Sequence, residues 1–362
     1  MMQNKQAIPF NKENFKQILS KEFAWVIIVS IPGAFIADYF NVPLAWFLGP
    51  MLITSIVTLG GLRTKMPRLV LSTVLIFLGL YIGNYVDKSL FSQIHQWAWT
   101  SLIMLAYIII SVLLVSKYLQ NFSGYEKKTS VFSAAPGALG PLLILAEDEK
   151  SDLSQVATAH LIRLIIIITV FPFIVNSFYD TESIQIVETI NEDQNIGHLL
   201  ILIVLSIILI ILFDKLKIPA ALLAGTLVAS GFLQITEIAS YKLPANIIDY
   251  CLLILGASVG CRFADKTFKE VAKNTVHSFV ATLLLVLLGL VAAFVAGLVI
   301  DKNFFTLLLS YCPGGIYEVA VIAIFFDLDP EFVSFHHIIR LLMILFVVPV
   351  ILKFLYRNKK PA

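Results

Sequence analysis

The chain has 362 residues, of which 59% are hydrophobic and only 14% are charged, and its mean hydropathy is +0.89. Soluble proteins carry about 25% charged residues, so this chain has too few to cover the surface of a water-soluble fold. The net charge of +2 and the absence of a basic stripe exclude a typical nucleic-acid-binding protein. The composition predicts an all-α polytopic membrane protein whose surroundings are lipid.

Twelve apolar runs follow one another along the chain, each bounded by Pro, Gly or charged residues. Several reach 18 residues, which is enough to cross ~30 Å of hydrocarbon as a helix. We read the first run as an uncleaved span, because no small-residue cleavage site follows it. The runs lie at 23–38, 43–60, 68–86, 97–119, 130–146, 156–178, 197–213, 218–235, 244–261, 275–300, 303–326 and 331–355.

The last six runs repeat the first six. A shift of 177 residues makes 13 of 42 positions identical between 131–172 and 308–349 without a gap. Shared hydrophobicity would not bring His, Arg, Asp and Pro into register, so the chain contains an internal duplication. It divides into an N-terminal segment 1–22, a first membrane repeat 23–178, an acidic linker 179–196, a second membrane repeat 197–355 and a basic tail 356–362.

Basic clusters favour one orientation, because Lys and Arg concentrate in cytoplasmic loops. All of the basic clusters lie on the cytoplasmic side if the fifth run of each half enters the membrane and returns on the same side. Each half then has five spans and one re-entrant segment, about ten spans in all, and the odd number inverts the second half relative to the first. Both termini are then cytoplasmic. The alternative is twelve true spans with parallel repeats.

Pro-Gly pairs interrupt the fifth run of each half, at Pro136-Gly137 and at Pro313-Gly314-Gly315. Pro removes a backbone donor and Gly admits unusual dihedral angles, so a helix is expected to break there. Two breaks at equivalent positions predict a binding site at the repeat interface. The alternative is a pair of structural kinks.

The sixth runs each carry a His-x-x-Arg motif on one helical face. Asp152 and Asp329-Pro330 have the pattern of helix N-caps, which is sufficient to explain both aspartates. Counting from these caps, the arginines lie ~16 Å along the helix, near the middle of the bilayer. The four residues of the motifs are His160, Arg163, His337 and Arg340.

Charge in the apolar runs is unbalanced. Glu318 is the only carboxylate well inside the apolar runs of the second half, and Pro141 takes its place in the first. One carboxylate does not neutralise two arginines, and a surplus of positive charge suits an anionic ligand. The alternative is that each arginine only holds the carbonyl groups of the neighbouring helix break.

The Asn41-Val-Pro-Leu-Ala-Trp-Phe-Leu-Gly-Pro50 segment, the Pro-Gly segments and the His-x-x-Arg helices resemble the membrane AbrB family of bacteria. The resemblance covers about 23–355 and implies a duplicated protein of the bacterial cytoplasmic membrane. The family shares only its name with the small DNA-binding AbrB regulators. It has been labelled both as a regulator of gene expression and as ammonia monooxygenase.

We expect no enzyme activity, because the sequence lacks the cluster of His and carboxylate ligands that a copper or iron monooxygenase needs. No nucleotide-binding motif, bound cofactor or metal is expected either. The leading hypothesis is a secondary transporter of a small anionic solute, driven by a gradient of H⁺ or Na⁺, with Glu318 as the carrier of the coupling ion. The alternative is a membrane sensor that regulates genes through a partner. A homo-oligomer is compatible with either.

Overall fold

The computed structural model describes residues 12–86, 89–178, 196–238 and 245–356, and every regular element in these ranges is a helix. The predicted acidic linker and basic tail lie almost wholly outside the described residues. The helices are α1 Lys12–Ile18, α2 Lys21–Tyr39, α3 Ala45–Leu59, α4 Arg68–Gly83, α5 Ser89–Phe122, α6 Lys127–Ala134, α7 Leu139–Asp148, α8 Leu153–Phe178, α9 Ile196–Lys215, α10 Ala221–Thr236, α11 Ala245–Cys261, α12 Phe268–Gly297, α13 Phe304–Tyr311, α14 Ile316–Phe325 and α15 Pro330–Tyr356.

Six of these helices, α2, α5, α8, α9, α12 and α15, are long and apolar enough to cross a bilayer. Four shorter apolar helices, α3, α4, α10 and α11, have 15 to 17 residues. Together they account for the ten predicted spans. Along α9, large apolar side chains such as Leu200, Val204 and Ile208 are exposed, as expected of a surface that lipid covers. The chain is a polytopic helical membrane protein.

The helices form two compact units, and each unit takes elements from both halves of the chain. The first contains α1 to α4, α9 to α11, the C-terminal end of α8 and residues 324–331. The second contains most of α5 and α8, with α6, α7, α12, α13 and nearly all of α14 and α15. All of the predicted site residues belong to the second unit.

Close helix packing in the first unit follows the duplication. Two glycine pairs lie where helices from different halves touch: Gly79 and Gly83 of α4 face α10, and Gly256 and Gly260 of α11 face α3. A Cβ on Gly256 would lie 2.2 Å from the Phe47 carbonyl oxygen, so only glycine fits. Since α4 is the counterpart of α11 and α3 that of α10, the two contacts are equivalent. Each contact therefore joins one helix of the first half to one helix of the second.

Each Pro-Gly segment of the second unit folds as a helical hairpin. The Lys128 ammonium, at the start of α6, bonds the carboxylate of Glu149, which follows α7. The Asp152 N–H donates to Thr129 Oγ1 at 3.1 Å, so the two ends of the α6–α7 segment meet. In the second half, the Lys302 ammonium before α13 lies 5.7 Å from the centre of the Phe332 ring in α15. The chain therefore reverses at each break, which is more than a kink.

The starts of helices α8 and α15 agree with the N-caps predicted from the sequence. The Gln155 N–H donates to Asp152 Oδ1 at 3.0 Å, which makes Asp152 the N-cap of α8. Helix α15 begins at Pro330, as the Asp329-Pro330 pair predicts. These starts set the heights at which the His-x-x-Arg motifs lie along their helices.

Candidate functional site

The tip of the first hairpin, Ala135–Ala138, is held by two side chains of α8. His160 Nε2 donates to the Phe132 carbonyl oxygen at 2.9 Å. The Arg163 guanidinium donates to the carbonyl oxygens of Ser133 and Ala135. His160 and Arg163 are 5% and 2% exposed, so these bonds are made out of contact with water.

The tip of the second hairpin, Cys312–Gly315, repeats this arrangement. His337 Nε2 donates to the Leu309 carbonyl oxygen at 3.0 Å. The Arg340 guanidinium donates to the carbonyl oxygens of Cys312 and Gly314, the latter at 2.7 Å. It also donates to His337 Nδ1 at 2.9 Å, so His337 is a neutral imidazole with its proton on Nε2.

These contacts have a common physical cause. Helices α6 and α13 end in the interior of the second unit, and the last carbonyl groups of a helix have no partner inside that helix. The C-terminus of a helix also carries partial negative charge, which a cation stabilises. Arg163 and Arg340 supply both the donors and the charge. The predicted structural role of the arginines, holding the carbonyl groups of the neighbouring break, is therefore present in the fold, and a second role in ligand binding stays a prediction.

The two tips lie against each other. A Cβ on Gly137, whose φ is +118°, would be 3.2 Å from Arg340 Nη2 and 3.5 Å from the Gly314 carbonyl oxygen. The guanidinium groups of Arg163 and Arg340 are close enough to interact electrostatically, and Tyr107 of α5 lies near both. The structure thus brings both Pro-Gly segments and both His-x-x-Arg motifs into one region of the second unit.

Glu318 lies in the first turn of α14 and is 1% exposed. Its carboxylate folds back over Gly315: Oε2 lies 1.9 Å from the position that a Cβ on Gly315 would occupy. Gly315 is therefore the residue that makes room for this carboxylate. The position also suits the charge, because the N-terminus of a helix carries partial positive charge.

The charge balance of the region follows from these placements. Among the described residues, the buried side chains of the types Arg, Lys, Asp and Glu are two arginines and one glutamate: Arg163, Arg340 and Glu318. All three lie at the hairpin tips. The buried histidines, His160, His336 and His337, are on α8 and α15, the helices that carry the two arginines.

Some residues of the region were missed by the sequence analysis. Tyr107 and Tyr311 meet edge to face, with ring centres 6.2 Å apart. The Tyr311 hydroxyl donates to the Thr100 carbonyl oxygen at 2.7 Å, and Thr100 Oγ1 lies 2.8 Å from His336 Nε2. Aromatic residues and threonine in an apolar run give no signal that separates such contacts from ordinary packing.

Within the described ranges, no three His, Cys, Asp or Glu side chains come together as metal ligands would. The expectation that the protein holds no metal and has no enzyme activity stays a prediction.

Comparisons with known proteins add the family. The family model described as "Transition state regulatory protein AbrB" matches residues 2–84 and 58–356. The "Uncharacterized protein YhjN" of Bacillus subtilis (strain 168) is 21% identical over 353 residues, covering 90% of this chain and 91% of that protein. The "Putative regulator AbrB" of Escherichia coli (strain K12) is 23% identical over 331 residues, covering 89% and 93%. No solved structure matches the chain.

Proposed function

The chain belongs to the AbrB family, as a duplicated membrane protein, and from this premise we propose that it is a secondary transporter of a small anionic solute. The observation that carries the proposal is the region where the two hairpin tips meet, which holds two buried arginines and one buried carboxylate. Irregular backbone at membrane depth is tolerated where it is buried in protein or lines an aqueous cavity. Surplus positive charge at such a place favours an anion.

Inverted repeats are part of the proposal. Because each hairpin returns to the side from which it started, a half with five crossing helices begins and ends on opposite sides of the membrane. The second half is then an inverted copy of the first, so equivalent residues lie at the same depth only near the middle of the bilayer, where the sequence places Arg163 and Arg340. Alternating access around such a pair of sites is the usual mechanism of transporters with this architecture.

Glu318 is the proposed carrier of the coupling ion, H⁺ or Na⁺. It is the one buried carboxylate of the described residues, and Pro141 stands at the equivalent position of the other half. A carboxylate at this place can exchange a proton or a cation while the arginines keep their charge. We place the protein in the cytoplasmic membrane of a bacterium, with both termini in the cytoplasm and without direct contact with nucleic acid.

Transport is tested with purified protein in proteoliposomes. An inward H⁺ or Na⁺ gradient should drive accumulation of a labelled carboxylate, and collapse of the gradient with an ionophore should abolish it. Empty liposomes and liposomes with the Arg163→Ala/Arg340→Ala protein give the background. Binding of a solute without flux under any gradient would contradict the proposal.

The second candidate function is a membrane sensor that binds a solute and influences gene expression through a partner. The names of the family and of one relative favour it, since the family is described as a transition state regulatory protein and the relative from Escherichia coli as a regulator. A sensor would bind the same solute at the same place. Flux separates the two functions, because a sensor binds without transporting.

A further inference from the structure

The two hairpin tips are equivalent in the duplication, but they differ at the start of the second helix of each hairpin. In the second half, the carboxylate of Glu318 occupies the N-terminus of α14, over Gly315. In the first half, the equivalent residues at the start of α7 are Pro141 and Ala138. Helix α7 therefore begins without an acidic side chain in its first turn.

The first tip also leaves two buried polar atoms without a hydrogen-bond partner, Ser133 Oγ and Arg163 Nε. Ser133 is 0% and Arg163 2% exposed, so water does not replace the missing partners at the surface. At the second tip, Ser310 Oγ donates to the Thr306 carbonyl oxygen at 2.8 Å, and the Arg340 guanidinium has three acceptors. A buried donor without a partner is costly, which makes the first tip the one that gains from a ligand.

A second cation and unoccupied space also lie next to the first tip. The Arg340 guanidinium reaches over from the second half and lies against Gly137. Nothing lies within 4 Å of the place that a Cβ on Gly140 would take, and Gly140 is exposed. The first turn of α7 is therefore open on the side of Gly140.

We propose that the first hairpin tip binds a carboxylate group of the solute, between the start of α7, Arg163 and Ser133. At the second tip, the side chain of Glu318 supplies the equivalent carboxylate from the chain itself. The inference rests on the proposed binding of an anionic solute and adds where and how its charged group is held. A planar carboxylate fits because it accepts hydrogen bonds from a guanidinium edge, a hydroxyl and backbone N–H groups together. The two halves then have different tasks, with the solute at one tip and the intrinsic carboxylate at the other.

The experiment gives the first tip the carboxylate that the second one has. In the Ala138→Gly/Pro141→Glu variant, the new glutamate can fold over Gly at 138 as Glu318 folds over Gly315, and Ala138→Gly/Pro141→Gln is its uncharged control. Thermal unfolding of the purified proteins is titrated with acetate, propionate and succinate, each against its amide. We expect at least one carboxylate, and no amide, to raise the Tm of the unmodified protein and of the Gln control, and to leave the Glu variant unchanged.

A smaller pair of changes covers the case in which the double variants fail to fold. Ser133→Ala should weaken the apparent affinity for the responding carboxylate roughly tenfold, whereas Ser310→Ala, its counterpart in the other half, should leave it unchanged. The proposal is overturned if no carboxylate shifts the Tm of the unmodified protein, if the Glu variant still responds, or if both serine variants respond alike.

Flux measurements distinguish this proposal from the proposed transport function. A carboxylate response that the Glu variant loses, without flux in proteoliposomes, refutes transport and leaves the binding site standing. Flux that the Glu variant retains refutes the binding site and leaves transport standing.

Discussion

At the scale of single residues, Arg163 and Arg340 combine a structural task with the proposed task of binding. Each guanidinium spans two backbone carbonyl groups of a hairpin tip, which the single ammonium group of lysine would not reach with the same geometry. Each also faces the region in which positive charge is in surplus. A substitution therefore changes stability and affinity together, and both have to be measured.

Arg163→Lys and Arg340→Lys should each lower stability by ~1–3 kcal/mol, because a buried carbonyl group loses its donor. In the protein that remains folded, we expect the affinity for the responding carboxylate to fall roughly ten- to a hundredfold, since a charge-assisted bidentate contact is lost. Thermal unfolding and a binding titration below the lowered Tm give the two quantities. A lysine variant that is less stable and binds with unchanged affinity would show that the arginines serve only the fold.

Glu318→Gln separates charge from shape. Glutamine keeps the size of the side chain and can also bond backbone N–H groups in the first turn of a helix, so α14 should still form. We expect the variant to fold and to bind the solute, but to lose uptake driven by an ion gradient. Counterflow of unlabelled and labelled solute, which needs no gradient, should persist. Gradient-driven uptake at the normal rate by a folded Gln variant would remove Glu318 from the mechanism.

The residues of the site were predictable because the duplication marks them. His160, Arg163 and their counterparts stand out as polar residues in register between two apolar helices. Their hydrogen-bond partners are backbone carbonyl groups, and a carbonyl group leaves no trace in the sequence. The unpartnered Ser133 Oγ is a feature of the same kind, since Ser133 and Ser310 are identical in sequence and differ only in what surrounds them.

At the scale of elements, the tightest contacts are made by glycine. Gly256→Ala should destabilise the protein by ~1–3 kcal/mol, because the new methyl group collides with the Phe47 carbonyl oxygen and α11 has to move away from α3. Gly297→Ala is the matched control, since its Cβ would be at an ordinary 3.5 Å from the Leu307 side chain. We expect the control to be neutral or slightly stabilising in thermal unfolding. Equal stability of the two variants would contradict the packing of α11 on α3.

Most elements could be predicted because apolar runs, Pro-Gly breaks and caps are local signals. The break after α6 and the cap of α8 lie where the sequence places them. That the broken segments turn back as hairpins depends on contacts of residues about twenty positions apart, such as Lys128 with Glu149. The sequence indicated the hairpins only through the distribution of basic residues, and it left twelve straight spans as the alternative.

At the scale of the whole molecule, the sequence divides into two halves, but the compact units do not follow that division. Each unit contains equivalent helices of both halves: α3 with its counterpart α10 and α4 with its counterpart α11 in one, and the two hairpins in the other. Such an exchange of elements is set by which apolar faces complement each other. That information lies in three-dimensional shape, and periodicity along the chain does not carry it.

Membrane orientation decides between inverted and parallel repeats. In the inverted arrangement, Lys65 and Lys269 lie in the cytoplasm and Asn191 lies outside, because each half has five crossings. In the parallel arrangement of twelve spans, Lys269 is outside and Asn191 inside, while Lys65 stays inside. Only the second half and the linker therefore distinguish the two.

Single cysteines at 65, 191 and 269 test the orientation in a protein whose three native cysteines, Cys251, Cys261 and Cys312, are replaced by alanine. An impermeant thiol reagent applied to intact cells should label the cysteine at 191 and leave those at 65 and 269 unreacted until the membrane is permeabilised. Labelling at 65 after permeabilisation shows that the reagent works on an inside position that both arrangements share. Labelling at 269 from outside would refute the inverted arrangement, since the basic segment at the start of α12 has to be cytoplasmic for the two hairpins to open toward opposite sides.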